Sequence, residues 1–293
     1  MSDLLAPRAL DGISVAISIS ESEDLPRLGL AEAHLRLAVA EIVRAILVHG
    51  GRVIYGGHLA PSGYTAFLIG EIERFGSDRR FVSVMPWSEH VKLTFQQVWA
   101  ARQRLASSGE VICLDADGKP IEVEGWISLD RDQELPPDII AGSLTAMRNA
   151  VTGMSDARVI LGGKRRGFLG TMPGILEETM LTVDAGKPVF LAGGFGGLAF
   201  DLADIVGGVP DAALAALRVG MAPKSEALSP VCAKLRDISV DILARDHLTE
   251  SERVHVALSH RASEVASMLV TALGRLAGCK NGANNNLQEG RHG

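Results

Sequence analysis

The chain has 293 residues, 47% of them apolar and 22% charged, so it has material for a substantial core and lies far from disordered compositions. Its 35 acidic residues against 29 basic ones give a formal charge of −6, which disfavours a nucleic-acid-binding surface. No apolar run is long enough to span a membrane, the first eight residues lack a signal-peptide pattern, and Cys113, Cys232 and Cys279 show neither metal nor disulfide spacing.

The first element in chain order is an apolar, β-branched run at residues 12–20, which reads as a strand. A polar loop at 21–24 follows. Over 31–49, Leu35, Val39, Ile42, Val43, Ile46 and Leu47 recur at helical spacing, and Gly50-Gly51 end that helix. A strand at 52–55 closes on Gly56-Gly57-His58, a helix is predicted over 64–74, and a third strand over 81–86. This β–α–β–α–β order is the signature of a parallel, doubly wound sheet.

Residues 87–137 are less regular and read as a variable insertion with a helix near 94–107 and one or two extra strands, one of them at 111–114. Regularity returns with a helix at 142–154, a strand at 157–161, a glycine-rich loop to Gly174, a helix at 175–185 and a strand at 188–192 ending in Gly193-Gly194-Phe195-Gly196-Gly197. Helical patterns then occupy 199–206, 211–219, 229–244 and 251–276. The expected fold is α/β: a Rossmann-like, mostly parallel sheet with helices on both faces. Residues 1–205 are its nucleotide-binding domain, 206–278 a helical extension packed on the core, and 279–293 a disordered tail. The helices at 229–276 either cover the sheet, which is the expectation, or form the interface of a homo-dimer or larger homo-oligomer.

An open parallel sheet binds ligands beyond the carboxyl ends of its strands, where strand order reverses. Chemistry-bearing residues collect at those ends: Ser18, Ser20 and Glu21 after the first strand, Gly56, Gly57 and His58 after the second, and Gly162, Gly163, Lys164, Arg165 and Arg166 after the 157–161 strand. Gly193 and Gly194 follow the last one. Glycine admits close backbone approach, a helix N-terminus favours anions, and Lys or Arg pairs with phosphate. Each glycine pair also has a plain reading as turn chemistry. The first loop is not the Gly-x-Gly-x-x-Gly dinucleotide fingerprint. Trp87, just beyond the third strand, is either a stacking partner for a base or a packed loop aromatic.

A second constellation joins Arg148, on the 142–154 helix, to Glu177 and Glu178 in the first turn after Pro173-Gly174. An arginine there suits a phosphate or carboxylate. A first-turn glutamate suits either helix-dipole stabilisation or acid–base work on an N-glycosidic bond.

Met147-Arg148, Asp156-Ala157-Arg158-Val159-Ile160-Leu161-Gly162-Gly163 and Gly174-Ile175-Leu176-Glu177-Glu178 together resemble the SMF/DprA–LOG (SLOG) superfamily over roughly residues 10–205. The resemblance implies a Rossmann-like fold and a nucleotide-derived ligand. It casts Gly162, Gly163 and Gly174 as phosphate-cradling glycines, and Arg148 and Glu178 as the counterparts of the catalytic pair in LOG phosphoribohydrolases. In this chain ten residues split the compact LOG motif, and Met172-Pro173-Gly174-Ile175 precedes the glutamates. That version is closer to the branch related to the cytosolic domains of melastatin-type TRP channels. The expectation is a cytoplasmic binder of an ADP-ribose-like or cyclic ADP-ribose-like molecule, with no metal and no resident cofactor. An N-glycosidic hydrolase and a non-catalytic interaction module are the alternatives.

Overall fold

A computed structural model describes residues 7–59, 63–75, 80–122, 134–220 and 223–289. The first half reads β1 (Ser14–Ser20), α1 (Glu32–Val48), β2 (Arg52–Gly56), α2 (Tyr64–Phe75), β3 (Phe81–Met85), α3 (Trp87–His90), α4 (Phe95–Leu105), β4 (Gly109–Leu114) and β5 (Pro120–Ile121). The second half reads α5 (Pro137–Met154), β6 (Ala157–Gly162), α6 (Gly174–Asp184), β7 (Val189–Ala192), α7 (Gly197–Val206), α8 (Asp211–Arg218), α9 (Ser229–Asp237), α10 (Ser239–Arg245), α11 (Glu250–Leu258) and α12 (Ala262–Glu289).

The strands form one seven-stranded sheet in the order β5-β4-β3-β2-β1-β6-β7, parallel throughout except for β5 at one edge. This is a Rossmann-like α/β fold with extra C-terminal helices. The central strands are buried on both faces, which is why their sequences run apolar rather than alternating. One face carries α1, α2, α4 and α12, and the other α5, α6 and α7. No helix among the described residues is long and apolar enough to cross a membrane.

Several boundaries differ from expectation for local reasons. Much of the stretch read as an insertion is a further helix–strand unit of the sheet: α4 leads into β4, which pairs parallel with β3. Thr94 starts α4 with a capping box, its Oγ1 accepting from the Gln97 amide at 3.3 Å while the Gln97 side chain accepts from the Thr94 amide at 2.8 Å. The expected segment at 123–133 lies outside the described residues. α5 begins at Pro137 rather than at 142, because proline in the first helical turn loses no hydrogen bond. The single helix expected over 251–276 is broken where Ser259 Oγ accepts from the Arg261 amide at 3.1 Å, a local bond that replaces the helical ladder. α12 then spans Ala262–Glu289.

α12 is an integral layer of the fold. Its Val265, Leu269 and Leu273 share the main apolar cluster with Leu35, Val39 and Ile42 of α1 and with β1 beneath them.

Candidate functional site

Strand order reverses between β1 and β6, since the chain builds outward from β1 through β4 and only then places β6 on the other side. The ends of these two strands are in register, Ser20 opposite Gly162. The chain leaving β6 folds back over β1: the Gly163 amide donates to the Ser20 carbonyl at 3.1 Å, and the Lys164 amide donates to Ser20 Oγ at 3.1 Å. Gly162 makes this possible with a φ of +60°, and a Cβ there would lie 2.4 Å from the Ser20 carbonyl oxygen.

On the α5–α6 side of the sheet, two arginines and two glutamates interlock. Arg148 Nη1, on α5, donates to Glu177 Oε2, and Thr145 Oγ1 donates to the other Glu177 oxygen. Arg148 Nε sits 3.7 Å from Glu178 Oε1 and, among the described residues, has no hydrogen-bond acceptor, although the side chain is only 9% exposed. Glu178 Oε2 points the other way. It accepts from Ser18 Oγ and, at 3.2 Å, from Arg158 Nη1. Arg158 rises from the start of β6 with 1% exposure and donates further to Ser18 Oγ at 2.9 Å, Thr182 Oγ1 at 2.7 Å and Thr152 Oγ1 at 2.9 Å. Burial pulls the Arg158 guanidinium below its usual range, against which the Glu178 charge acts.

Above these groups lies a cleft of about 290 Å³ at the carboxyl ends of β1 and β2, roofed in part by the loop after β6. Its floor holds Ser18, Arg148 and Glu178, its back wall Tyr55 and Met147, and its rim Lys164, Phe168 and Leu169. Burial, reinforced by the Glu178 charge, pushes the Tyr55 phenol far up, so Tyr55 faces the cleft as a neutral ring. The N-terminus of α6 opens into the same space at Gly174. A second cavity, about 600 Å³, lies between α2 and α4 and shares His58 and Glu89 with the first. A cleft at the reversal point, with a buried arginine whose Nε has no acceptor among the described residues and a helix N-terminus turned into it, is suited to an anionic ligand that also carries hydroxyls.

A family model described as SLOG cluster2 matches residues 9–253. The chain belongs to the SLOG superfamily. No curated protein matches it at a significant level. SLOG membership associates the chain with nucleotide-related binding or processing, and the match reaches well past residue 205, taking in α8, α9, α10 and the start of α11.

Within this SLOG fold, nine of the residues singled out from sequence line the cleft: Ser18, Ser20, Gly56, Gly57, His58, Arg148, Lys164, Gly174 and Glu178. The others lie elsewhere. Glu21 is exposed and pairs with Lys164 at 3.1 Å, and Arg166 is exposed off the cleft. Glu177 is buried behind Arg148. Gly162 and Gly163 form the turn beneath the cleft floor, Gly163 against Leu198. Gly193 and Gly194 are covered by the backbone of Ala257 and Ser259. Arg165 is the clearest correction. Instead of reaching toward a ligand it is fully buried, 2.8 Å from Asp24 and 2.7 Å from Asp201, where it ties the loop after β6 to α7. A basic triplet in a loop carries no sign of which member turns inward; the acidic partners, 141 residues before and 36 after, decide it. Trp87 is not among the cleft's lining residues.

Sequence reasoning overlooked Arg158 as a site residue. Its signal was present: a charged side chain at the second position of an otherwise apolar strand, where full burial demands partners. Phe168 and Leu169, exposed apolar residues at the rim, were also passed over as loop.

Proposed function

We propose that the cleft binds a nucleotide-derived ligand of the ADP-ribose or cyclic ADP-ribose type and holds it without cleaving it. The observation that carries this reading is Arg148, a guanidinium laid across the first turn of α6 that lines the cleft and whose buried Nε has no acceptor among the described residues. Together with the helix N-terminus it offers a place for one phosphate. Glu178 Oε1 offers an acceptor for sugar hydroxyls, and Phe168, Tyr55 and Met147 offer apolar surface for a base. At about 290 Å³ the cleft stands at the small end of ligand sites, room for about one nucleotide, and the adjoining cavity past His58 provides space for a second sugar phosphate. The long loop between Gly163 and Gly174, which splits the compact catalytic motif, supports holding over turnover.

A second reading is N-glycosidic hydrolysis. It is favoured by one observation, that Glu178 lines the cleft and keeps an oxygen without a hydrogen bond among the described residues, 3.7 Å from Arg148 Nε. The two readings separate in a thermal-shift series with AMP, NAD and ADP-ribose, followed by chromatography of the mixtures. A ligand at 100 times its dissociation constant stabilises by about 2.7 kcal/mol, worth roughly 5–10 °C at the 2–4 °C per kcal/mol of a chain this large. Stabilisation by ADP-ribose with the ligand recovered intact is the expected result. Release of free base, abolished in Glu178→Gln, assigns hydrolysis instead. Absence of a shift with all three removes both readings.

A further inference from the structure

We propose that Arg158 is a positioning residue: acting through Ser18, it fixes which oxygen of Glu178 the ligand meets, and thereby makes the cleft selective for nucleotides that keep their ribose hydroxyls. The proposal rests on the cleft being a nucleotide site and specifies what that site reads.

The direction of every bond in this network is set by chemistry. A guanidinium only donates. Ser18 Oγ therefore accepts from Arg158 at 2.9 Å and spends its own proton on Glu178 Oε2, the same oxygen that Arg158 reaches directly at 3.2 Å. Two donors converge on Oε2, and it lies on the sheet side of the carboxylate. Oε1 accepts no hydrogen bond among the described residues, its nearest cation being Arg148 Nε at 3.7 Å, and since Glu178 lines the cleft it is the oxygen left for a ligand. Arg158 itself is pinned by Thr152 and Thr182, whose hydroxyls in turn donate to the carbonyls of Arg148 and Glu178 one helical turn back, at 2.8 and 2.7 Å. The arginine thus ties the two helices that carry Arg148 and Glu178 to the strand between them. Ser18 is 2% exposed and Arg158 1% exposed, so neither competes with water for its partner.

A carboxylate oxygen held in this way accepts a hydroxyl proton and rejects an analogue that cannot supply one, because the desolvated oxygen is then left unsatisfied. The orientation has a second consequence. In Glu178→Gln the side-chain amide must keep its oxygen toward Ser18 and Arg158, which turns the NH2 group into the cleft. The variant therefore keeps the shape of the site but converts an acceptor into a donor.

Calorimetric titration of the full chain with AMP and with 2′,3′-dideoxy-AMP tests this. The wild-type protein is expected to bind AMP at least tenfold more tightly. Arg158→Met is expected to bring AMP affinity down to that of the dideoxy analogue while leaving the analogue's affinity within about twofold. A role in stability alone would lower both together. Glu178→Gln, at a cleft-facing position, provides the same measurement without removing a buried charge and is expected to lose the preference as well. Combining it with Arg158→Met frees the amide to turn over and is expected to restore part of that preference. Equal affinity of the wild type for the two nucleotides, or an undiminished preference in either single variant, overturns the proposal while leaving the nucleotide site in place. Binding of neither nucleotide to the wild type overturns the site reading as well.

Discussion

A methyl group at position 174 would lie 2.6 Å from Arg148 Nη2 and 3.3 Å from Cζ. The guanidinium has nowhere easy to go, since Nη1 is bound to Glu177 and the chain at Gly170 lies just beyond it. Gly174→Ala is therefore expected to displace Arg148 and weaken AMP or ADP-ribose binding by roughly tenfold, about 1.4 kcal/mol. The thermal midpoint should fall only modestly, because the better helix propensity of alanine offsets part of the strain on the Arg148–Glu177 pair. Arg165 gives the opposite pattern. Arg165→Met would remove the buried cation that Asp24 and Asp201 share, and burial already pushes the Asp201 carboxyl up. The expected cost is about 3–5 kcal/mol in a urea titration, with nucleotide affinity of the folded protein nearly unchanged. The contrast shows why only some of the site was legible beforehand. Arg148 and Glu178 stand at helix positions whose local motif gives their direction. The direction of Arg165 and the importance of Arg158 depend on partners far along the chain, and nothing in their neighbouring residues announces them.

Among the elements, α11 and α12 are joined by Glu252 and Arg275, whose groups meet at 2.6 and 2.8 Å. Arg275 holds the Glu252 carboxyl down at about 2. A depressed carboxyl stabilises the fold above its unfolded-state value, about 4.5, and that contribution disappears as the pH falls toward 2. Both side chains are partly exposed, so the contribution is under about 1 kcal/mol. Glu252→Gln retains the capping box with Thr249 and removes only the charge. Its melting point is expected to fall slightly below that of the wild type at pH 7 and to coincide with it near pH 2. Element types and the parallel sheet were readable because long apolar periods and glycine turns are local signals. The break at Ser259 was not, because one side-chain hydroxyl competing with the helical ladder looks like any other serine in an apolar period.

At the scale of the whole molecule, the last helix completes the first layer. Leu269 is fully buried against α1, and Lys280 Nζ lies 2.5 Å from Asp156 Oδ1, whose second oxygen accepts from the Ser14 amide at 2.9 Å at the start of β1. Leu269→Ala is expected to cost about 2–5 kcal/mol, read as a lower urea midpoint, a penalty appropriate to a core position and larger than a peripheral helix would show. The same closure has a temporal side. More than two hundred residues separate Val48 from Ala262, so a ribosome adding about 5–20 residues per second leaves the apolar flank of α1 uncovered for roughly ten seconds or longer. Over that interval the flank is open to other apolar surfaces, and synthesis is the stage at which aggregation of this chain is expected to start.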